Sequence, residues 1–447
     1  MENPGYARRL GTFDGTMLVM GGIIGAGIFL NPAIVAQRTG TPLLTIAAWC
    51  LGGAIALAGA FCFAELGARA PRAGGGYVYL RDAFGALPAF LYGWTLLLVI
   101  ATGAIAAVAV SFARYATELA GAPEAAITPT AIIAIVLLSA VNYFGVKPGA
   151  WTQNLFTILK IGALLVLIVA GLAVAPQSSA GAAAVPGGSG SVWIAMGTAL
   201  IPVLFAFGGW QQTNFVAEEM KDPAKTLPRV LVLGVLGVIA VYVLSNVVYV
   251  RQLGVAGLAA SRAPAADVMR AAVGDAGATF IAAGITASMF GFLNLVILVT
   301  PRVYQAMAAD GLFFNAVARL HPRYRTPALA LAIQAVWAVL LTLSGTYGQL
   351  LDYVVFGDWI FFGLTAATLF VYRRRDSGAG GHGFRSPGYP WIPALFVLAA
   401  ACVVVSSVIS NPRNAGVGAA LIGLGLPAYG LFRRGGGTNG QAGGAGG

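Results

Sequence analysis

One apolar run constrains this chain more than any other. It extends from about Thr16 to Val35 and carries Met20-Gly-Gly-Ile-Ile-Gly-Ala-Gly-Ile-Phe29 at its centre. It is long enough to cross a bilayer, which takes ~20 residues. Four glycines fall within seven positions of it. Each costs ~1 kcal/mol relative to alanine in a helix interior, so the run predicts a membrane helix that breaks near its middle. Backbone released at that depth is tolerated only where protein buries it or a watered cavity receives it. Broken helices of this kind hold the substrate in secondary transporters.

The rest of the chain agrees with a membrane setting. Hydrophobic residues make up 58% and charged residues 9%, against about 25% charged in soluble domains. The predicted fold is all-α and polytopic, with twelve transmembrane helices and no separate soluble domain. The spans are predicted at 14–36, 43–67, 85–113, 128–146, 151–174, 193–217, 228–250, 276–300, 327–345, 350–372, 391–410 and 414–432. Residues 1–12 read as a cytoplasmic N-terminus with no removable signal peptide. Residues 175–191 read as a flexible extracellular loop and 435–447 as a disordered Gly-rich tail. The polar connection 251–277 has room for a short surface helix.

The formal charge of +11 does not indicate nucleic acid. With the N-terminus inside, nineteen of the 26 Lys and Arg fall in inner loops, six fall outside, and Lys160 lies within a span. That asymmetry predicts a multi-pass protein of the cell (inner) membrane with both termini in the cytoplasm.

The sixth span is interrupted too. Gly208-Gly209 is followed by Gln211, Gln212, Thr213 and Asn214, which is unlike a membrane helix interior. Two interruptions at corresponding places suggest two inverted repeats of five spans, 14–174 and 193–372, with two further helices in 391–432. A half-helix N-terminus carries unpaired N–H groups and partial positive charge. Gly25, Ala26 and Gly27 would present such groups to a carboxylate. The Ile23 carbonyl, and those of Phe205 and Gly208 with Ala206 beside them, would suit an ammonium. A zwitterion matches both poles, so an α-amino acid is the predicted substrate. Alternatively, small residues in membranes simply let helices pack closely.

The spacing Gly22-x-x-Gly25-x-Gly27 is no dinucleotide fingerprint, because that needs a preceding strand and an acid ~20 residues on. Here the first acid downstream is Glu65.

At these residues the chain resembles the amino acid–polyamine–organocation superfamily, and most nearly its L-type amino acid transporter branch and bacterial relatives. The likeness rests on Gly22-Ile-Ile-Gly-Ala-Gly-Ile-Phe29, on Glu65-Leu with Pro71-x-Ala-Gly-Gly-Gly-Tyr77, and on Phe205-Ala-Phe-Gly-Gly-Trp210. Most specific is Asn214-Phe-Val-Ala-Glu-Glu-Met-Lys-Asp-Pro223 followed by Leu227-Pro-Arg229. The resemblance implies the inverted-repeat fold of sodium-coupled neurotransmitter transporters and the uptake or exchange of amino acids. It implies that Lys160 stands where those relatives bind sodium, tying span five to the break in span one. It also places Tyr242 near that lysine and the substrate, and makes Phe205 the outer gate.

Independently of any family, a lysine as deep as Lys160 is costly unless paired or hydrated. If its ammonium stays charged, an exchanger (antiporter) independent of sodium is expected. If it releases its proton in each cycle, a proton-coupled symporter results. Phe207, Trp359 and Asn294 complete the expected gate and pocket wall. Spans one, three, six, eight and ten are read as lacking a deep Asp or Glu, which favours neutral substrates. Glu218, Glu219, Lys221 and Asp222 suggest an inner gate of salt bridges to Arg69, Arg72 or Arg302.

Other classes fit poorly. Cys50, Cys62 and Cys402 lie in apolar runs and read as filler. His321 and His382 have no neighbours at metal spacing, so no metal or cofactor and no enzymatic centre is expected. A channel would need a polar ring along a continuous pore. In the animal branch a light-chain partner requires a cysteine between spans three and four, and the segment 113–131 has none. A lone subunit is expected, as monomer or weak homodimer.

Overall fold

The computed structural model describes residues 5–176, 191–344, 347–375, 383–410 and 412–437. Among them the structure is helical, and the one β-type contact is an isolated bridge between Leu10 and Met220. In chain order come α1 (Thr12–Ile23), α2 (Gly27–Thr39), α3 (Pro42–Arg69), α4 (Gly76–Phe84), α5 (Ala86–Thr95), α6 (Ala101–Leu119), α7 (Ile127–Tyr143) and α8 (Val146–Ala173). There follow α9 (Val192–Ala206), α10 (Pro223–Ala260), α11 (Pro264–Val273), α12 (Asp275–Val299), α13 (Pro301–Ala309), α14 (Ala328–Leu343) and α15 (Tyr347–Arg375). The chain closes with α16 (Trp391–Ser410), α17 (Pro412–Gly423) and α18 (Gly425–Gly437).

Local chemistry sets several boundaries. Gly40 ends α2 in the left-handed region (φ +67°), and Thr41 caps α3 by accepting from the Leu44 N–H, with Pro42 at the first helical position. Between α5 and α6 the residues Leu96–Ile100 form a π-turn.

Nine helical stretches among the described residues are long and apolar enough to cross a membrane, and the bent pair α1–α2 makes ten. The two remaining expected spans coincide with α14 and α15. The surface helix expected in 251–277 is α11. Residues 177–190 and 438–447 lie outside the described residues, while 435–437 finish α18.

Large aliphatics fill the core, as Ile135, Leu138, Leu164 and Leu167 do, and also cover the outer surface of the bundle. Ile133, Leu137, Val166 and Val169 on α7 and α8 are exposed, an apolar outer surface that suits lipid and would be a liability in water. Inside, α1 packs on α8 and α10, α2 on α9, and α12 on α6 and α8. The two interrupted spans therefore lie side by side at the centre.

Candidate functional site

The breaks meet each other. The axes of α1 and α2 diverge by 42° across Ile24–Ala26. The α9 helix stops at Ala206, and the chain resumes as 3-10 turns over Trp210–Glu219. A Cβ on Gly209 would fall 2.1 Å from the Gly22 carbonyl oxygen, and one on Gly22 would fall 2.9 Å from the Gly209 oxygen. Gly209 also holds φ +111°, which other residues rarely adopt. Gly27 abuts Ala206, and Gly21 abuts Gln153 and Thr157. Gly25 differs, because the nearest atom to a Cβ there would be Phe292 Cδ2 at 3.9 Å. Packing demands three of the four glycines, and Gly25 faces open space.

Side chains from three helices catch the freed carbonyls. Lys160 on α8 is fully buried, and its Nζ donates to Gly21 O at 3.0 Å and Ile24 O at 2.7 Å. Ser288 on α12 donates to Ile24 O at 3.1 Å. The Tyr242 hydroxyl on α10 lies 3.0 Å from Ile23 O and 3.3 Å from Ala206 O, so it bridges both breaks. The Gly25 N–H turns back to Ile23 O at 2.9 Å. In this conformation Gly25 does not offer its donor outward, and the Ile23 carbonyl already takes two donors. Among the described residues the Ala26 N–H and the Gly208 carbonyl have no backbone partner.

A cavity of about 380 Å³ adjoins the breaks. Its lining includes Ile23, Gly25, Ala26, Gly27, Phe205, Ala206 and Gly208 from the broken spans, with Trp359 and Phe362 from α15. It extends to Arg114, exposed near the end of α6. Phe205 is 46% exposed along this space. Lys160 and Tyr242 stand behind the backbone they support and are not part of the lining.

Three expectations need correction. Phe207 is buried against Tyr242 and Trp49, with ring centres 5.0 and 6.0 Å away, and does not line the cavity. Asn294 is no pocket wall either. It is buried between α7 and α8, donating to Gly149 O at 3.0 Å and accepting from Asn142 at 3.0 Å. Finally, span ten does contain a deep acid. Asp358 lies within α15 and lines the cavity beside Trp359, so the case for neutral substrates from the lack of a carboxylate loses its premise. A carboxylate in an apolar run is itself a functional pointer, and that signal was available. Ser288 gave no such signal, being one hydroxyl in a long apolar helix.

The opposite end of the bundle is tied together by charged contacts. Arg302 and Glu219, both buried, pair at 2.7 Å. The Glu219 backbone oxygen takes the N–H groups of Arg9 and Leu10, and Ala73 N–H donates to Glu218. Tyr6 lies beneath the Arg302 guanidinium, and burial pushes its phenol up, so it remains neutral. Arg69 and Arg72 have other partners than those expected: Arg69 and Arg373 share Glu65, and Arg72 pairs with Asp82. Asp222 pairs with Lys225 at the surface. His321 accepts the N–H groups of Arg323 and Tyr324, which fixes a turn, and His382 lies outside the described residues.

A helical membrane bundle with two adjoining breaks, a cavity along them and a buried ion pair at the far end is the arrangement found in secondary transporters with broken helices. The model of the amino acid permease family matches residues 10–430. The chain is 32% identical to the serine/threonine exchanger SteT of Bacillus subtilis (strain 168), over 96% of this chain and 97% of that protein. It is 31% identical to the cystine/glutamate transporter of Homo sapiens, over 95% of this chain and 85% of that one. Against the large neutral amino acids transporter small subunit 2 of Homo sapiens the identity is 30%, over 94% and 80%. The chain belongs to the amino acid permease family: it is a multi-pass amino acid transporter of the cell membrane and not an enzyme.

Proposed function

We propose that this transporter exchanges amino acids, including neutral ones, without sodium. The observation that carries the proposal is the Lys160 ammonium on the Gly21 and Ile24 carbonyls. In broken-helix transporters, unwound carbonyls of this kind coordinate the coupling ion. A cation attached to α8 supplies that charge from within the protein, so the site needs no ion from solution. Exchange accords with the similarity to a relative named as an exchanger.

The substrate carboxylate binds the Ala26 and Gly27 N–H groups at the start of α2, where the helix dipole favours an anion. The substrate ammonium takes the Gly208 carbonyl. Neutral side chains fit the apolar wall of Ile100, Phe292, Trp359 and Phe362. Phe205 swings over the bound substrate and excludes water. Access then alternates by rearrangement of two five-span repeats, 14–174 and 193–372, in a twelve-span bundle whose termini are cytoplasmic. The chain works as a lone subunit, and its 113–131 segment offers no cysteine for a disulfide to a partner.

The test is uptake of labelled L-amino acids into proteoliposomes, with sodium, proton gradient and internal amino acid varied separately. Exchange against internal amino acid without sodium is expected. Accumulation that needs a proton gradient would replace exchange by symport.

A further inference from the structure

One carboxylate faces the cavity with no role in holding the substrate main chain. Asp358 is flanked by Gly357, where a Cβ would lie 3.2 Å from Ile100 Cδ1 and 3.6 Å from Thr95 Cγ2. That close approach seats α15 against the π-turn Leu96–Ile100 and fixes Asp358 at the depth of that turn. The turn is held open by Thr102, whose hydroxyl donates to Leu97 O, five residues back, at 2.6 Å. Such π-turns recur at functional sites.

Among the described residues no Lys, Arg or His forms an ion pair with Asp358. The other charge on the lining, Arg114, is exposed and stands at the far end of the cavity. From Ile100 to Arg114 the chain rises roughly 20 Å at ~1.5 Å per residue. An unpaired acid at membrane depth is expensive and is kept where function uses it. Cavity water can solvate it when the site is empty. Closing the site over a neutral substrate strips that water away, whereas a cationic side chain supplies a direct partner in its place.

We propose that Asp358 is the side-chain subsite for an ammonium group, so that the transporter accepts amino acids with an amine-bearing side chain alongside neutral ones. This rests on the amino acid exchange proposed above, with the substrate main chain at the breaks. Trp359 and Phe362 flank the aliphatic stem and Asp358 receives its charged end.

The test uses the full chain in proteoliposomes preloaded with whichever neutral amino acid it exchanges fastest. Entry of labelled L-lysine and L-ornithine is compared with that of uncharged L-norleucine and L-citrulline. Lysine or ornithine should exchange with the wild type. Asp358→Asn should lower their kcat/KM at least ~10-fold relative to norleucine, the loss expected for one charge-assisted contact. Norleucine exchange should persist in that variant, which shows it is folded, and Asp358→Glu should retain lysine. Wild type that exchanges norleucine but rejects both basic amino acids overturns the proposal. So does an equal loss of every substrate in Asp358→Asn, or a loss confined to proton-driven accumulation, which would mark Asp358 as a proton carrier. Absence of exchange with any amino acid would instead refute the exchange on which the subsite rests.

Discussion

Gly22 and Gly209 touch backbone to backbone, with room for no side chain between them. This contact joins the two breaks, and the amide groups released by each break line one cavity as a consequence. Gly209→Ala should be severely destabilising, since the methyl would meet the Gly22 carbonyl at 2.1 Å in a left-handed conformation. The left-handed backbone alone costs a non-glycine residue ~1–2 kcal/mol. Thermal unfolding in detergent should show a clear drop in midpoint. An unchanged midpoint would mean that the breaks do not touch.

Gly25→Ala should behave differently. A Cβ there meets nothing closer than 3.9 Å, so the midpoint should stay near wild type. The methyl projects toward the substrate carboxylate, so KM for amino acid should rise by ~3-fold or more, the price of a disturbed hydrogen bond. Equal effects on folding and transport would argue that Gly25 is packing and nothing else.

Lys160→Ala leaves the Gly21 and Ile24 carbonyls without their shared donor. Hydrogen bonds to a charged group contribute about 1.5–3 kcal/mol each. The exchange rate should fall at least ~10-fold, a change of ~1.4 kcal/mol, measured as initial counterflow. Retention of full exchange would remove Lys160 from the mechanism.

Tyr242→Phe deletes one hydroxyl and keeps the ring that packs on Trp49 and Phe207. The loss should be near 1 kcal/mol, or roughly fivefold in exchange. A variant indistinguishable from wild type would show that the hydroxyl between Ile23 O and Ala206 O does not couple the breaks.

Arg302→Ala strands the buried Glu219 carboxylate. Breaking one side of a buried pair typically costs ~3–5 kcal/mol, so the unfolding midpoint should drop. Adding Glu219→Gln should recover part of that loss. Lack of recovery would show that the two charges do not depend on each other.

How much of this could be read from the chain follows from the kind of signal each residue leaves. Glycine clusters in an apolar run announce a break because a helix does not otherwise spend them there, and the two breaks lie where Gly25 and Gly208 stand. Lys160 announced itself by its cost in a membrane. The partners of the freed carbonyls were harder, since one serine in an apolar span, Ser288, looks like any other small residue until α12 is packed on α1. Phe207 and Asn294 had the right chemistry for a pocket wall, but rotation about the helix axis decided which side they face. Local spacing does not contain that rotation. Asp358 was legible in principle and carries the correction of greatest consequence, because it puts a charge into a cavity expected to be neutral.

The most direct test of the central claim is the initial rate of amino acid counterflow in proteoliposomes with all sodium replaced by choline. With the Lys160 ammonium occupying the carbonyls of the first break, the rate should be the same in the two media. A rate that collapses without sodium and returns as sodium is restored would contradict it.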